Sequence, residues 1–407
     1  MIEASRAAGT RVARRPRTAR KAEPLADPGS FISLYQEMTQ GPALFQMGVP
    51  ATETFPATLF ARLRAHAIRA EASAAPLYPD PRGEIELRRE IAGYLAVARG
   101  IHCSPSQVII TGGYSAGLGL TLSVLRLAGE TAWIEEPGFP WSRKGLKLAG
   151  LSLAPIAVDG EGIDVGQGIC HHPGAKLALV TPGQQAPLGA TLSLERRLRL
   201  LEWASERESW IIEDDYLSDL QLSGRAAPAL AALDRGGRVL HIGSFSKTLS
   251  PTLRLGFVVA PPELAGRFAD VAACLAPPPG PAVQLATAGF MREGHYLRHL
   301  RRTKRAYAAK REALLENLRA CASTGAMATP GLAVLLELPK GVSDVAVARE
   351  ALAFGMSPSP LSAWYASADE ARSGLLLGVA TAPTRNMARA CVRLFDIIRR
   401  FVDLPGR

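Results

Sequence analysis

Two kinds of apolar spacing alternate along the chain from about residue 84. In the stretch 84–99 the apolar residues Ile85, Leu87, Ile91 and Leu95 stand between charged residues, which is typical of an amphipathic helix. Further helical patterns alternate with apolar runs of strand length, namely QVIIT, TAWIEE, LSLAPIAV, AKLALVT, SWIIED and RVLHIGS. This alternation predicts an α/β domain with a mostly parallel sheet.

The pattern changes after three consecutive prolines that begin at Pro277. A basic stretch from about Tyr296 to Leu318 has the spacing of a long helix and leads into a smaller region of strands and helices. A chain of 407 residues is long enough for two lobes. We therefore predict three parts, which are a basic disordered arm or linker (1–40), a large domain (41–295), and a connecting helix with a small C-terminal domain (296–407).

The net charge of +10 is concentrated at the start of the chain, where basic residues cluster before residue 22. That leader lacks apolar periodicity, so a solvated arm is favoured over a nucleic-acid-binding role. The five cysteines are odd in number and far apart, which favours a reduced intracellular protein. No apolar run reaches the roughly 18 residues of a membrane span. We expect a cytoplasmic protein that does not enter a membrane.

Candidate chemistry collects at the predicted strand ends, where open α/β sheets bind their ligands. Gly112 to Ser115 follow a strand and precede a helix, so their backbone N–H groups can hold a phosphate. Phe139 follows the next strand, and a later strand ends in Glu213, Asp214, Asp215 and Tyr216. Three consecutive acids cannot all point inward. We expect one carboxylate in the crevice, with its neighbours solvated or capping, in preference to a metal site.

Lys247 is unusual because it follows an apolar run and has small hydroxyl residues, not charged ones, as neighbours. Ser244, Ser246 and Thr248 lie beside it in the sequence, and Arg254 follows. Pyridoxal 5′-phosphate requires such a set. Its aldehyde needs a lysine, its pyridine nitrogen a carboxylate, its 3′-oxygen a phenol, and its phosphate hydroxyls with an arginine. We therefore predict pyridoxal 5′-phosphate as the cofactor, with Lys247 as the Schiff-base lysine.

Longer segments of the chain resemble the fold-type I aminotransferase domain of MocR/GabR-type transcriptional regulators, which belong to the GntR superfamily. The most specific are IIEDDY and GSFSKTLSPTLRLGFVVAP, and the others are YPDPRGEIELRREIAGYLA, VIITGGYSAGLGL, IEEPGFPWSR, SLERRLRLLEWA and EGHYLRHLRRTKRAY. The resemblance runs from about Phe45 to about Arg399. It implies a fold-type I pyridoxal-phosphate-dependent transferase, with a large domain on a mostly parallel sheet and a smaller αβ C-terminal domain.

The resemblance also implies a role for each candidate residue. It assigns Lys247 to the cofactor's aldehyde, Asp214 to the pyridine nitrogen and Tyr216 to the 3′-oxygen. Phe139 would stack on the ring, and Gln185 would contact the cofactor's edge. The phosphate would be held by Tyr114, Ser115, Ser244 and Arg254.

A partner subunit is implied as well. In the family pattern the tyrosine of the segment LYPDPRG, which is Tyr78 here, reaches the phosphate bound by the neighbouring chain. The resemblance therefore implies a homodimer with composite active sites, acting on an amino acid or amine.

Three departures from the family pattern bear on function. We expect no winged helix in this chain, since the residues before Phe31 leave no room for one, and so no sequence-specific DNA binding by the chain itself. In SGLLLGVATAP, Leu376 stands about where fold-type I aminotransferases commonly place an arginine for the substrate carboxylate, with Arg385 nearby. In TPGQQAPLG, Gln184 stands where the family usually has a histidine.

Three functional interpretations follow. The first is an aminotransferase that uses pyridoxal 5′-phosphate on an amino acid or amine. The second is the effector-sensing domain of a truncated MocR/GabR-type regulator, which binds the cofactor with little or no turnover. The third, a remnant without cofactor, is disfavoured because each cofactor position is filled. The missing winged helix favours the first interpretation, and the missing arginine favours the second.

Overall fold

Helices and strands alternate through most of the chain in the computed structural model, which describes residues 2–5, 9–12, 30–41, 43–75, 77–222, 227–321, 327–328 and 331–402. The strands are β1 (Ile2–Ser5), β2 (Gly9–Val12), β3 (Val108–Thr111), β4 (Thr131–Glu136), β5 (Ser152–Asp159), β6 (Gly162–Ile163), β7 (Leu177–Val180), β8 (Trp210–Asp215), β9 (Val239–Ser244), β10 (Gly256–Val259), β11 (Met327–Ala328), β12 (Ala333–Glu337), β13 (Ser359–Pro360) and β14 (Gly374–Gly378).

The α-helices separate most of these strands along the chain. They are α1 (Ser30–Met38), α2 (Ala57–Ser73), α3 (Ile85–Ala98), α4 (Tyr114–Leu125), α5 (Pro140–Leu148), α6 (Val165–His171), α7 (Leu194–Glu206), α8 (Leu230–Leu233), α9 (Pro262–Leu275), α10 (Pro281–Arg292), α11 (His295–Cys321), α12 (Asp344–Leu352) and α13 (Met387–Val402).

The large lobe is built on an eight-stranded sheet in the order β3-β10-β9-β8-β7-β4-β5-β6. Strands β9, β8, β7, β4 and β5 pair in parallel, while β10 is antiparallel to both β3 and β9. Most residues of the central strands are buried on both faces, as a parallel sheet covered by helices requires. The sheet confirms the α/β fold predicted from the alternation of apolar patterns.

Two apolar clusters cover the two faces of this sheet. Ile212 and Ile242 belong to the cluster that packs with α4, α5 and α9, while Ile211 belongs to the cluster that packs with α6 and α7. Because neighbouring residues of a strand point to opposite faces, the apolar pair at 211–212 serves both clusters. In the second cluster the rings of Trp133 and Trp203 stack with centroids 3.9 Å apart.

The small lobe contains a four-stranded antiparallel sheet in the order β11-β12-β14-β13. Its two central strands pair Leu335 with Leu376, and both side chains are buried. Ala333 and Leu361 complete the apolar cluster on this sheet. The long helix α11, which the sequence predicted as a connecting helix, packs against α13 in this lobe.

The chain divides into two compact units, Met1–Glu37 and Met38–Arg407, and the second contains both lobes. In the first unit, β1 and β2 pair antiparallel, with Ile2 opposite Val12. Residues 13–29, which make up much of the disordered arm predicted over 1–40, lie outside the described residues. Within the described part of the chain, no helix combines the length and hydropathy that a membrane crossing requires.

Candidate active site

Four of the predicted site residues lie at or shortly after the carboxyl ends of strands, and these ends meet at one edge of the large sheet. Tyr114 begins α4 after β3, Phe139 caps α5 after β4, and Asp214 lies near the end of β8. Lys247 follows β9, the strand next to β8. The rings of Tyr114 and Phe139 are 6.3 Å apart, and the charges of Lys247 and Asp214 interact. The structure thus brings these four residues into one crevice.

The three consecutive acids of β8 have different surroundings. Glu213 caps the short helix α8, since it accepts hydrogen bonds from the backbone N–H groups of Leu230 and Ala231 at 2.7 and 3.0 Å. Asp215 is largely buried and accepts a hydrogen bond from Arg99 Nε at 2.8 Å. Asp214 is buried too, but its Oδ1 has no hydrogen-bond partner among the described residues. Of the three acids, Asp214 is thus the one with an unpartnered carboxylate oxygen, and its role in the crevice remains a prediction. Asp215, which was expected to be solvated or capping, is instead paired with an arginine.

A buried charge network holds the other two acids. His241 on β9 places Nδ1 3.0 Å from Glu213 Oε2 and Nε2 3.9 Å from Asp215 Oδ2. Arg99 supplies a cation beside Asp215. Buried charges need partners, so these residues let two acids flank Asp214 without facing its crevice. This network was not predicted from the sequence, although a histidine on a buried strand next to an acidic one was an available signal. Within the described residues, no group of three or more His, Cys, Asp or Glu side chains is arranged for a metal ion.

Burial moves the pKa values of the acid and the amine in the crevice toward neutrality. Burial, reinforced by the Asp215 and Glu135 carboxyls, raises the pKa of Asp214 to about 8, although a Tyr114 hydrogen bond and Lys247 act in the opposite direction. Burial also lowers the pKa of Lys247 to about 8, which the Asp214 carboxylate partly offsets. A fraction of the Lys247 amine is therefore unprotonated near neutral pH, and this is the form that acts as a nucleophile.

Tyr216 lies next to this pair. Burial, followed by the nearby carboxyls of Asp214 and Glu135, raises the pKa of its phenol. The phenol therefore keeps its proton and can donate a hydrogen bond to an oxygen atom in the crevice.

Lys247 Nζ donates a hydrogen bond to the backbone oxygen of Gly48. Gly48 has φ +81°, in the left-handed region, and a Cβ atom there would approach the amine to 3.1 Å. The segment before Gly48 is held by the small lobe, because Gly378 N donates to Phe45 O at 2.7 Å. A side chain at Gly378 would collide with the backbone oxygen of Gln46. The position of the lysine's acceptor therefore depends on close packing against β14.

An anion cradle lies at the start of α4. Gly113 has φ +89°, and a Cβ atom there would lie 3.8 Å from the guanidinium of Arg254. The first N–H groups of α4, from Tyr114 and Ser115, have no partner within the helix and can bind an anion. Nearby, Ser244 Oγ donates to Ser246 Oγ at 2.9 Å. The geometry favours the phosphate role that was predicted for this loop, although that role remains a prediction.

Two predicted residues have side-chain partners that bear on their roles. The Tyr114 hydroxyl is 2.8 Å from Ser142 Oγ and is also hydrogen-bonded to the Asp214 carboxyl, so its backbone N–H is the group left for the predicted phosphate. Gln185 is buried, and its amide nitrogen donates to Pro137 O at 2.7 Å while its amide oxygen accepts from Leu188 N at 2.9 Å. Gln185 thus braces the turn after β7, and its contact with a cofactor remains a prediction.

Tyr78 belongs to no crevice of the single chain. Its side chain is fully exposed, at 102%, and the neighbouring Leu77 is exposed at 82%. Two large side chains left in solvent side by side are available to another subunit. The reach of Tyr78 into a partner's site remains a prediction.

The small-lobe side of the crevice is apolar. Leu376 is fully buried in β14, where an arginine was expected from the family pattern. Met47, Leu188, Trp364 and Tyr365 pack on the same cluster and are partly exposed. Trp364 also contacts Phe139, with ring centroids 5.8 Å apart. The sequence analysis did not single out Trp364, since no local pattern links it to Phe139.

Arg385, the other candidate for a substrate carboxylate, lies elsewhere. It lines a cavity of about 390 Å³ with Leu44, Phe354, Met356 and Arg389. None of the predicted site residues lines this cavity. The structure therefore does not bring Arg385 to the crevice.

The crevice residues fit pyridoxal 5′-phosphate. The buried, unpartnered Oδ1 of Asp214 suits a protonated pyridine nitrogen, which would return the carboxyl to its charged form. Lys247 suits the aldehyde, and the cradle between Gly113 and Arg254 suits the phosphate. Phe139 offers a flat face for the ring. The fold and these residues together define a pyridoxal-phosphate-dependent transferase of fold type I.

Comparison with known proteins identifies the family of the chain. The model of the family described as aminotransferase class I and II matches residues 44–356. The chain belongs to this aminotransferase family.

Its curated relatives include regulators and enzymes. It is 35% identical over 346 residues to the probable rhizopine catabolism regulatory protein MocR of Rhizobium meliloti, with 84% of this chain and 70% of MocR covered. It is 41% identical over 225 residues to the transcriptional regulator TauR of Rhodobacter capsulatus, with 55% and 46% covered. The 2-aminoadipate transaminase of Thermus thermophilus is 29% identical over 380 residues, with 90% and 93% covered. The chain thus spans about half of TauR and nearly all of the transaminase, and the resemblance to MocR-type regulators is confirmed.

Solved structures confirm the fold. LysN of Thermus thermophilus, an α-aminoadipate aminotransferase complexed with N-(5′-phosphopyridoxyl)-L-leucine, superposes with a TM-score of 0.81 at 28% identity, covering 93% of this chain and 96% of LysN. The kynurenine aminotransferase of Pyrococcus horikoshii superposes with a TM-score of 0.82 at 23% identity, over 93% and 96% of the two chains. At that lower identity the second likeness concerns the fold alone.

Proposed function

We propose that the chain is an aminotransferase that holds pyridoxal 5′-phosphate through Lys247 and acts on an amino acid or amine. The observation that carries this proposal is the buried Asp214 carboxyl, whose Oδ1 has no partner among the described residues although it shares the crevice with Lys247. Leaving a buried polar atom unpaired costs about 1–3 kcal/mol, so an unpartnered carboxylate oxygen beside Lys247 supports a ligand at this place.

Each part of the cofactor has a proposed partner in the crevice. Lys247 Nζ would hold the aldehyde carbon, Asp214 the pyridine nitrogen and Tyr216 the 3′-oxygen. Phe139 would cover one face of the ring. The phosphate would lie among the backbone N–H groups of Tyr114 and Ser115, the hydroxyl of Ser244 and the guanidinium of Arg254. When bound, the cofactor supplies a sink for the electron pair left on a substrate carbon that loses a proton.

Residues of this chain would move the substrate's proton and keep the cofactor's nitrogen protonated. Burial lowers the pKa of the Lys247 amine to about 8, so this amine is the group that would take a proton from the substrate carbon. The Asp214 carboxylate would keep the pyridine nitrogen of the cofactor protonated. Phe139 and Trp364, whose ring centroids are 5.8 Å apart, would cover one side of the crevice.

Covalent labelling tests the proposal directly. Purified protein incubated with pyridoxal 5′-phosphate should become coloured, and borohydride should fix the label on the peptide that contains Lys247. Lys247→Ala should abolish the label. Lys340→Ala removes an exposed lysine of the small lobe and should label normally. Label spread over several lysines, or none after incubation, would refute the assignment.

We also propose a homodimer in which Tyr78 of each subunit completes the phosphate site of the other. The full exposure of Tyr78 and the exposure of Leu77 support this, since both side chains are free for a partner. A symmetric dimer buries the same patch on both subunits and would close both sites together.

A second function is favoured by the regulator relatives. MocR and TauR are longer than this chain, which covers 70% and 46% of them. In this alternative, the chain is the effector-sensing domain of a MocR/GabR-type regulator and turns over little or not at all. Adding amino acids and amines singly separates the two functions. An aminotransferase yields the corresponding oxo product, whereas a sensor changes its absorbance without product.

Sequence-specific DNA binding belongs to neither proposal for this chain. Affinity that comes from the basic residues before residue 22 would be electrostatic and would fall steeply with salt. Binding to one promoter fragment that survives excess random DNA at physiological salt would contradict this.

A further inference from the structure

A short loop of the small lobe is tied to the large lobe beside the crevice. We name this loop, residues 363–367, the wall loop. From α5, Arg143 donates hydrogen bonds to the backbone oxygens of Trp364 and of Tyr365, the latter at 3.0 Å, with a longer one of 3.4 Å to Ala363 O. The guanidinium thus holds three consecutive carbonyl groups of the wall loop.

The end of β4 binds the other half of the wall loop. Glu136 Oε1 accepts hydrogen bonds from Ala366 N at 2.6 Å and from Ser367 N at 3.4 Å. Gly138 N, two residues further along the chain, donates to Trp364 O at 3.1 Å. Donors and acceptors from residues 136–143 therefore contact every residue of the wall loop.

The two charged side chains also face each other. Arg143 Nη1 lies 3.8 Å from Glu136 Oε2, and their side chains are exposed by only 14% and 5%. A buried charge that loses its partner is costly, which makes such a pair difficult to separate. Because both side chains come from the large lobe and their bonds end on the small lobe, they fasten one lobe to the other.

The wall loop carries the aromatic side of the crevice. Trp364 contacts Phe139, and Trp364 and Tyr365 pack on the cluster that contains Leu376. Trp364 Nε1 donates to Ser359 Oγ at 3.1 Å, which fixes the indole in the small lobe. Moving the wall loop would therefore move the apolar surface in front of Phe139.

We propose that Arg143 and Glu136 are positioning residues that hold the wall loop in place before any substrate arrives. A substrate side chain then meets a preformed apolar wall made by Trp364, Tyr365 and the Leu376 cluster. The substrate class that fits this wall is an amine or amino acid whose side chain is apolar or aromatic. This substrate assignment rests on the proposed aminotransferase function, whereas the fastening of the loop does not.

Hydrogen exchange of the protein without cofactor tests the fastening. In Glu136→Ala the amides of Ala366 and Ser367 lose their acceptor and should exchange at least about tenfold faster. Glu136→Gln keeps an amide oxygen at the same place and should exchange nearly as slowly as the parent protein. Lys144→Ala, an exposed neighbour of Arg143 on α5, is the matched control and should change nothing. Equal exchange in all four proteins would overturn the fastening.

Substrate selectivity tests the role of the wall. Arg143→Ala should lower the ratio of kcat/KM for an amine with an aromatic side chain to kcat/KM for alanine by about tenfold, through KM more than kcat. Arg143→Lys should restore part of this ratio. An unchanged preference in Arg143→Ala, with faster exchange in the wall loop, would overturn the selective role alone. Failure of Lys247 to take a label would instead overturn the proposed function, and the exchange results would still decide the fastening.

Discussion

The two sides of the crevice are built from opposite kinds of residue. The large-lobe side carries Lys247, Asp214 and Arg254 at the ends of a mostly parallel sheet, and burial shifts the pKa values of its acid and its amine. The small-lobe side carries Leu376 in a buried strand, with aromatic rings from the wall loop in front of it. The polar side matches the demands of one cofactor. The apolar side has Leu376 where the family pattern led us to expect an arginine, so we expect differences in substrate to originate there.

Asp214→Asn is expected to have the largest effect on the polar side. The amide cannot keep the pyridine nitrogen protonated, so amino transfer should slow by roughly 10²- to 10³-fold. Labelling of Lys247 should persist. Single-turnover absorbance with one amino donor measures the rate.

Asp215→Asn provides the contrast on the same strand. It removes the charge that pairs with buried Arg99, and breaking a buried pair costs about 3–5 kcal/mol of stability. Denaturant unfolding should show this loss, while transfer in the folded protein stays within a few fold of the parent rate. A stable Asp215→Asn protein without transfer, alongside an active Asp214→Asn protein, would mean that the two roles are exchanged.

The pH dependence of cofactor attachment probes the amine itself. With a pKa of about 8, the neutral form of Lys247 grows about 100-fold between pH 6 and pH 9, and attachment should accelerate accordingly before levelling off. Asp214→Asn should move the midpoint to lower pH, because the Asp214 carboxylate raises the pKa of the lysine. A midpoint near that of a solvated lysine would show that the amine is not desolvated.

Leu376→Arg tests the apolar side. A guanidinium at this position can pair with a substrate carboxylate, so α-amino acids should react about tenfold faster relative to amines without a carboxylate. Leu376→Met conserves volume and should keep the parent preference. Fast reaction of the parent protein with alanine, glutamate or aspartate would show that another residue already holds the carboxylate.

Tyr78→Phe should have the smallest effect. Loss of one hydrogen bond to the phosphate costs about 1 kcal/mol, so cofactor affinity should fall roughly fivefold. Sedimentation should show a dimer for both proteins. A monomer that retains full cofactor affinity would contradict the composite site.

The difference between the two sides also separates what sequence could predict from what it could not. The sheet could be predicted because apolar runs of strand length mark its strands. Lys247, Asp214 and Phe139 could be proposed as site residues because each lies on such a run or shortly after one. The ties between Arg143 and the wall loop join positions more than 200 residues apart, and nothing local in either segment signals the other. The pairing of Arg99 with Asp215 is of the same kind. Contacts between segments that are distant in the sequence could be identified only in the folded chain.

The close packing of Gly378 against Gln46 O has a consequence for mutational tolerance. Gly378 lies at the end of β14, in the other lobe from Lys247, and is not one of the predicted cofactor-binding residues. Yet any side chain at this position must push aside the backbone that leads to Gly48, whose carbonyl accepts the lysine's hydrogen bond. The amine's environment is therefore sensitive to the size of a residue that is distant from it in the chain. A methyl group added at Gly378 would displace the hydrogen-bond acceptor of Lys247 without altering a single ionisable side chain.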